Sequence, residues 1–253
     1  MRGATASGTV YERRGAGQAV VLLHGWCLNG RLWTYEEEQL AGSCDVVVPD
    51  LPGFGRSDGL DGPFDLDRYR ASVSELLTEL DLRDAVLVGF AFGALVAMAV
   101  AAEDDSRVAG VVLIGVPSGS RFAYEKMPRA MRRDWPLFAQ RSATAICKQP
   151  HSDATLEWLG RMFGATPLPV AIEVNGLLGS TEPAEMAPDV RVPALFVHGA
   201  QDDVVPVEVA EECAALMPAA RVERVDDCGH LVVLDQKERF HELVDGFLRE
   251  VVA

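Results

Sequence analysis

Positive charge is scarce in this 253-residue chain: 23 lysines and arginines stand against 38 acidic residues, a formal net charge of −15. Binding to phosphate backbones needs a basic surface, so this balance argues against a nucleic-acid partner. Long apolar runs are missing too. None approaches the roughly 20 residues of a membrane-spanning helix, and the opening stretch MRGATASGTVYERRGAG lacks the apolar segment of a secretory signal. The expectation is a cytoplasmic protein without membrane contact. Cysteines are few and scattered (Cys27, Cys44, Cys147, Cys213, Cys228), with no C-x-x-C pair. That odd, dispersed set fits reduced thiols better than a disulfide frame or a zinc site, and no metal or other cofactor is expected. Nor does any linker, repeat or low-complexity tract divide the chain, which is long enough for one α/β domain with a sizeable core.

What is present is a rhythm. The runs AVVLL (19–23), DVVV (45–48), AVLV (85–88), VVLI (111–114) and ALFV (194–197) are short and continuously apolar, as in strands buried on both faces. GTVYE (8–12) reads as an edge strand and RVERV (221–225) as a further strand. Helical spacing occupies 66–80, 94–102, 207–217 and 237–251 between them. Alternating strands and helices predict an α/β fold, a mostly parallel central sheet flanked by helices. From 118 to 189 only helical patterns and turns occur, punctuated by prolines that include Pro128, Pro136, Pro150, Pro167 and Pro169. The reading is a core of 1–117 and 190–253, with 118–189 inserted as a small helical cap over the carboxyl edge of the sheet, where ligands of open α/β sheets bind.

One more absence is chemical. Residues 87–98 read LVGFAFGALVAM, a strand running through Gly89-Phe90-Ala91-Phe92-Gly93 into a helix. This is the frame G-x-S-x-G with alanine where serine would stand. A serine there would be held above the sheet on a tight turn, with the Phe92 amide facing a developing oxyanion at the helix N-terminus. Alone, such a frame more often marks close backbone packing. His24-Gly25-Trp26 follows the strand AVVLL and could supply a second oxyanion donor, the Trp26 amide. His198-Gly199-Ala200-Gln201-Asp202-Asp203 follows ALFV and offers a carboxylate to orient an imidazole. Asp203 fits a helix cap better, so Asp202 is the preferred acid, with Asp203 the alternative. His230, on the loop Asp227-Cys228-Gly229-His230, is placed to act as general base and acid. His24, His151, His198 and His241 are read as structural. The candidate positions 91, 202 and 230 follow the chain order nucleophile, acid, histidine.

The segments VVLLHGW, VVVPDLPGFGRSDG, VLVGFAFGA, LFVHGAQDDVVP and DCGHLVVLDQKERF together resemble the α/β-hydrolases over nearly the whole chain. HGWCLNGRLW and DLPGFGRS look most like carboxylesterases of the pimeloyl-[acyl-carrier protein] methyl ester esterase type, an activity of biotin synthesis. The resemblance implies an ester hydrolase in which Asp202 and His230 serve with the Trp26 and Phe92 amides. The nucleophile role cannot carry over to Ala91. Cys27 and Ser57 lie on other turns and are poor stand-ins. Two explanations follow. Either Ala91 is an engineered Ser→Ala change that leaves an esterase nearly inactive, or alanine is natural in a small-ligand binder or a base-only enzyme using His230 and Asp202. The intact surroundings favour the first. A purely structural module would have no enclosed pocket beside Ala91 and His230.

Charge adds a second observation. Between 118 and 150, Arg121, Lys126, Arg129, Arg132, Arg133, Arg141 and Lys148 face only Glu125 and Asp134. In an acidic chain this stretch reads as a solvated helical face or as a docking surface for an anionic substrate or an acidic acyl-carrier protein. Under the second reading Arg121, Arg129, Arg132 and Arg133, with Trp26 and Phe92, would contact a small acyl ester substrate and its carrier.

Overall fold

In the computed structural model, residues 1–59, 62–103 and 106–252 are described. Eight strands form one sheet: β1 (Arg2–Ala4), β2 (Val10–Gly15), β3 (Gln18–Leu23), β4 (Cys44–Pro49), β5 (Ala85–Phe90), β6 (Val108–Ile114), β7 (Ala194–Gly199) and β8 (Ala220–Val225). Their order is β1-β2-β4-β3-β5-β6-β7-β8, antiparallel at the β1–β2 and β2–β4 pairs and parallel from β4 onward. The apolar runs are two-sided, as parallel strands must be when helices cover both faces. Along β3, Val21 and Leu23 join one core layer while Val20 and Leu22 join the other.

Helices α1 (Thr34–Leu40), α2 (Leu66–Glu79) and α3 (Phe92–Ala102) follow β3, β4 and β5 in turn. Between β6 and β7 lie α4 (Met127–Arg133), α5 (Trp135–Ala145), α6 (Asp153–Gly164), α7 (Leu168–Ser180) and α8 (Pro183–Met186). Helix α9 (Val207–Leu216) precedes β8, and α10 (Val232–Asp235) and α11 (Lys237–Val252) close the chain. Leu76, Leu95 and Val209 of α2, α3 and α9 pack on one face, and Leu40, Phe240 and Phe247 of α1 and α11 on the other.

One expectation is corrected. The edge is not the 8–12 segment: β1 pairs outside β2, and β2 begins only at Val10 because the chain turns at Gly8, φ +90°. A three-residue strand, Arg-Gly-Ala, carries no pattern that could announce it. Between β6 and β7 the described elements are all helical, and α8 packs on α3 and α9.

Candidate active site

The turn between β5 and α3 is built around one strained residue. Ala91 has φ 48° and ψ −108°, a left-handed conformation that costs a non-glycine residue about 1–3 kcal/mol. The surroundings impose it. The Ala91 amide donates to the Ile114 carbonyl at 2.8 Å, and its carbonyl accepts from Ala94 at 3.0 Å and Leu95 at 3.3 Å. Gly89 and Gly93 are required by contact rather than by conformation. A Cβ on Gly89 would lie 2.4 Å from the Gly93 carbonyl oxygen, and one on Gly93 2.2 Å from that of Leu23. Strand, turn and helix are thus pressed together so that side chain 91 stands clear of the sheet.

His230 sits opposite, on the loop after β8. Its Nδ1 lies 2.8 Å from Asp202 Oδ2, and the side chains are 5% and 1% exposed. Asp202 reaches that position because its other oxygen accepts from the Val204 and Val205 amides at 2.8 and 3.0 Å. Burial alone would raise the Asp202 carboxyl, but the charge and hydrogen bond of His230, the Val205 amide and His198 outweigh it and hold the acid below its ordinary value. An ionised carboxylate only accepts, so it fixes the His230 proton on Nδ1 and leaves Nε2 basic. Asp203 instead pairs with Lys148 at 3.3 Å, its side chain 83% exposed, and lines a cavity beside His230.

Ala91 and His230 border this cavity of about 300 Å³ between sheet and cap. Its wall includes Trp26, Phe90, Ala91, Phe92 and His230 from the body, and Phe122, Tyr124, Met127, Ile146, Phe163 and Leu178 from the inserted segment. Among the described residues the Trp26 and Phe92 amides donate to no protein acceptor, which leaves both available to an oxyanion. The Trp26 ring is fixed from above: Nε1 donates to the Ala171 carbonyl of α7 at 3.0 Å, and the ring meets Phe138 and Phe163 edge-on.

The remaining candidates separate from this centre. His24 is fully buried, 2.9 Å from the Gly25 carbonyl through Nδ1 and accepting from the Leu51 amide at 2.9 Å through Nε2. Burial holds its imidazole below the ordinary value, and does the same for His198, which contacts the Val205 carbonyl at 3.0 Å. The Cys27 thiol is pushed far up by burial, and the Ser57 hydroxyl is engaged with the Asp50 carbonyl and the Val10 amide. None of the four arginines assigned to substrate borders the cavity. Arg121 is held by Glu212 of α9, a pairing that two distant sequence positions do not reveal. Arg129, Arg132 and Arg133 are exposed on α4. Arg133 and Arg141 flank a second groove that shares Ser142 and Ala145 with the cavity wall.

Sequence reasoning missed two supports of His230. Gly115, φ +56°, lies directly beneath it, where a Cβ would fall 2.7 Å from His230 Cε1. Only its place after the strand VVLI hinted at this. Asp235, fully buried, accepts from the Gly229 amide at 2.8 Å, the Lys148 amide at 2.9 Å and the Gln149 amide at 3.3 Å, and lies 2.8 Å from His151 Nε2. It ties the His230 loop to the segment joining α5 and α6. Cys147, His151 and Asp235 bring three metal-type donors within 4.8 Å of one another. The donor set fits a metal poorly, because the carboxylate is filled by amides and the thiol is pushed up to about 12 by burial and by Asp235.

A doubly covered parallel sheet, a strained turn after β5 and a buried imidazole–carboxylate pair define a protein of the hydrolase class. Residues 20–243 match the alpha/beta hydrolase family, and the chain belongs to it. It is 30% identical to the pimeloyl-[acyl-carrier protein] methyl ester esterase of Aromatoleum aromaticum, over 91% of this chain and 98% of that protein. The protein of the same name from Vibrio cholerae is 28% identical over 91% and 94%. Among solved structures, the esterase EaEST from Exiguobacterium antarcticum superposes with a TM-score of 0.92 at 22% identity, covering 98% of this chain and 99% of that one. That last likeness shows the fold. Among the described residues no helix is long and apolar enough to cross a membrane.

Proposed function

We propose that the chain carries the binding pocket and acid–base apparatus of a carboxylic-ester hydrolase whose acyl substrate is borne on an acidic carrier protein, with Ala91 in the place of the serine nucleophile. The observation that carries this reading is the 2.8 Å His230–Asp202 contact beside an alanine held at φ 48°. A binder has no need of a strained elbow, a fixed tautomer and two unengaged amides together. In the parent reaction a serine at position 91 would attack the carbonyl, His230 would take and return the proton, Asp202 would orient it, and the Trp26 and Phe92 amides would hold the oxyanion. The carrier is supported by the α4 arginines, the groove leading from Arg133 and Arg141 to the cavity wall, and the name of the 30% identical relative.

The test restores the oxygen. Ala91→Ser is expected to raise kcat/KM on short aryl and methyl esters by roughly 10³-fold or more. If both chains are equally inert while still binding a small ligand, the protein is a binder or uses His230 only as a base. On the Ala91→Ser background, reversing Arg129, Arg132 and Arg133 to Glu should weaken turnover of a carrier-borne ester and leave free small esters unaffected. Equal loss on both substrates would refute the carrier.

A further inference from the structure

We propose that the chain as it stands hydrolyses activated acyl esters in a single displacement, with a water molecule over Ala91 as nucleophile and His230 as its base. This rests on the ester-hydrolase reading above and concerns what Ala91 permits rather than what serine would do. Alanine keeps the elbow: the backbone at 91 is strained, hydrogen-bonded and clamped by two glycines, so loss of an oxygen does not relax it. The space one hydroxyl would take is comparable to that of a water, whose share of liquid volume is about 30 Å³. The cavity, about 300 Å³, accommodates such a water together with a short acyl group. A water there needs polar partners. His230 Nε2 accepts one of its protons, and the substrate carbon it approaches is presented by the carbonyl lodged on the Trp26 and Phe92 amides.

The step balances without a co-reactant. The water oxygen forms a bond to the carbonyl carbon as its proton passes to His230 Nε2, and the carbonyl electron pair moves to the oxygen held by the two amides. Collapse restores the carbonyl and breaks the bond to the leaving oxygen or sulfur, which takes the proton back from Nε2. Acid and alcohol, or acid and thiol, are released, and no protein atom is acylated. Water is a weaker nucleophile than an activated serine, so this route selects good leaving groups: aryl esters and thioesters over alkyl esters.

Other side chains are poorly placed to compete. The Cys27 thiol is buried and does not border the cavity. The Ser57 hydroxyl is engaged elsewhere. Ser142 does line the cavity, but from α5 of the cap and away from any strained turn.

The experiment compares the chain, His230→Gln, Asp202→Asn and Ala91→Ser on a p-nitrophenyl ester and a matching thioester. Early time courses, intact mass after rapid quenching, and sensitivity to a serine-directed organophosphate are recorded. The chain should turn over slowly and linearly from the first cycle, gain no acyl mass and ignore the organophosphate. His230→Gln should lower the rate by roughly 10²-fold, and Asp202→Asn should also lower it while folding normally. A rate unchanged in both variants, an acyl adduct on Ser142 or any other side chain, or loss of activity to the organophosphate would each overturn the proposal. An active Ala91→Ser beside a chain without His230-dependent turnover sinks only this inference. An inert Ala91→Ser sinks the ester-hydrolase reading with it.

Discussion

Replacing Asp235 by alanine isolates a support that touches no substrate. The carboxylate is fully buried and serves the Gly229, Lys148 and Gln149 amides and His151. Alanine leaves the buried Gly229 amide and the partly buried Lys148 amide without acceptors, and each such donor costs roughly 1–3 kcal/mol. The 3.3 Å bond from Gln149 adds little, and His151, 14% exposed, can turn to water. The expected loss is about 4 kcal/mol in urea unfolding. For a chain of this size that corresponds to a fall in Tm of roughly 8–16 °C. Because Gly229 precedes His230, the same variant on the Ala91→Ser background should lose kcat more than its KM rises. A fall in Tm under about 3 °C with unchanged kcat would refute the reasoning. The loop would then be held by Leu231 and Val232 in the core rather than by the carboxylate.

Gly115→Ala should leave a folded protein in which His230 is displaced by the new methyl, lowering kcat in the Ala91→Ser chain by roughly 10²-fold; unchanged kcat would mean the ring is not seated where the 2.7 Å approach places it. On the same background Asp202→Asn should cost about 10⁴-fold in kcat and Asp203→Asn almost nothing, measured on one aryl ester; the reverse order would transfer the acid role. Stability should fall in mild acid. His24 and His198 have folded-state values below the ordinary 6.5, so what they contribute is complete above that pH and is lost as pH falls below it. The urea midpoint should drop between pH 7.5 and 5.5, and His24→Gln should flatten the drop.

Much of this was legible in the letters, and the reasons differ by element. Strands β3 to β7 announce themselves because burial on both faces demands unbroken apolar runs. The α3 boundary is marked by a glycine frame that sterics make compulsory. β1 is silent because three residues carry no period. Asp202 and Asp203 are equivalent as letters; only the turn after β7, where two amides seize one carboxylate, separates them. The cap wall could not be read, since an amphipathic helix reveals its apolar face but not the cavity that face borders. Arg121 illustrates the same gap for charge: its partner, Glu212, lies 91 positions away. Asp235 gives no signal in the sequence because three of its four partners are backbone amides, which no sequence displays.

The Trp26 indole has a mechanical consequence. Its ring is gripped by the cap through Ala171, Phe138 and Phe163, while its own amide belongs to the loop that would steady an oxyanion. A cap that lifts to admit a ligand must pull on that loop or let go of the indole. The indole therefore couples cap and loop mechanically, so that any displacement of the one would be felt at the amide of the other.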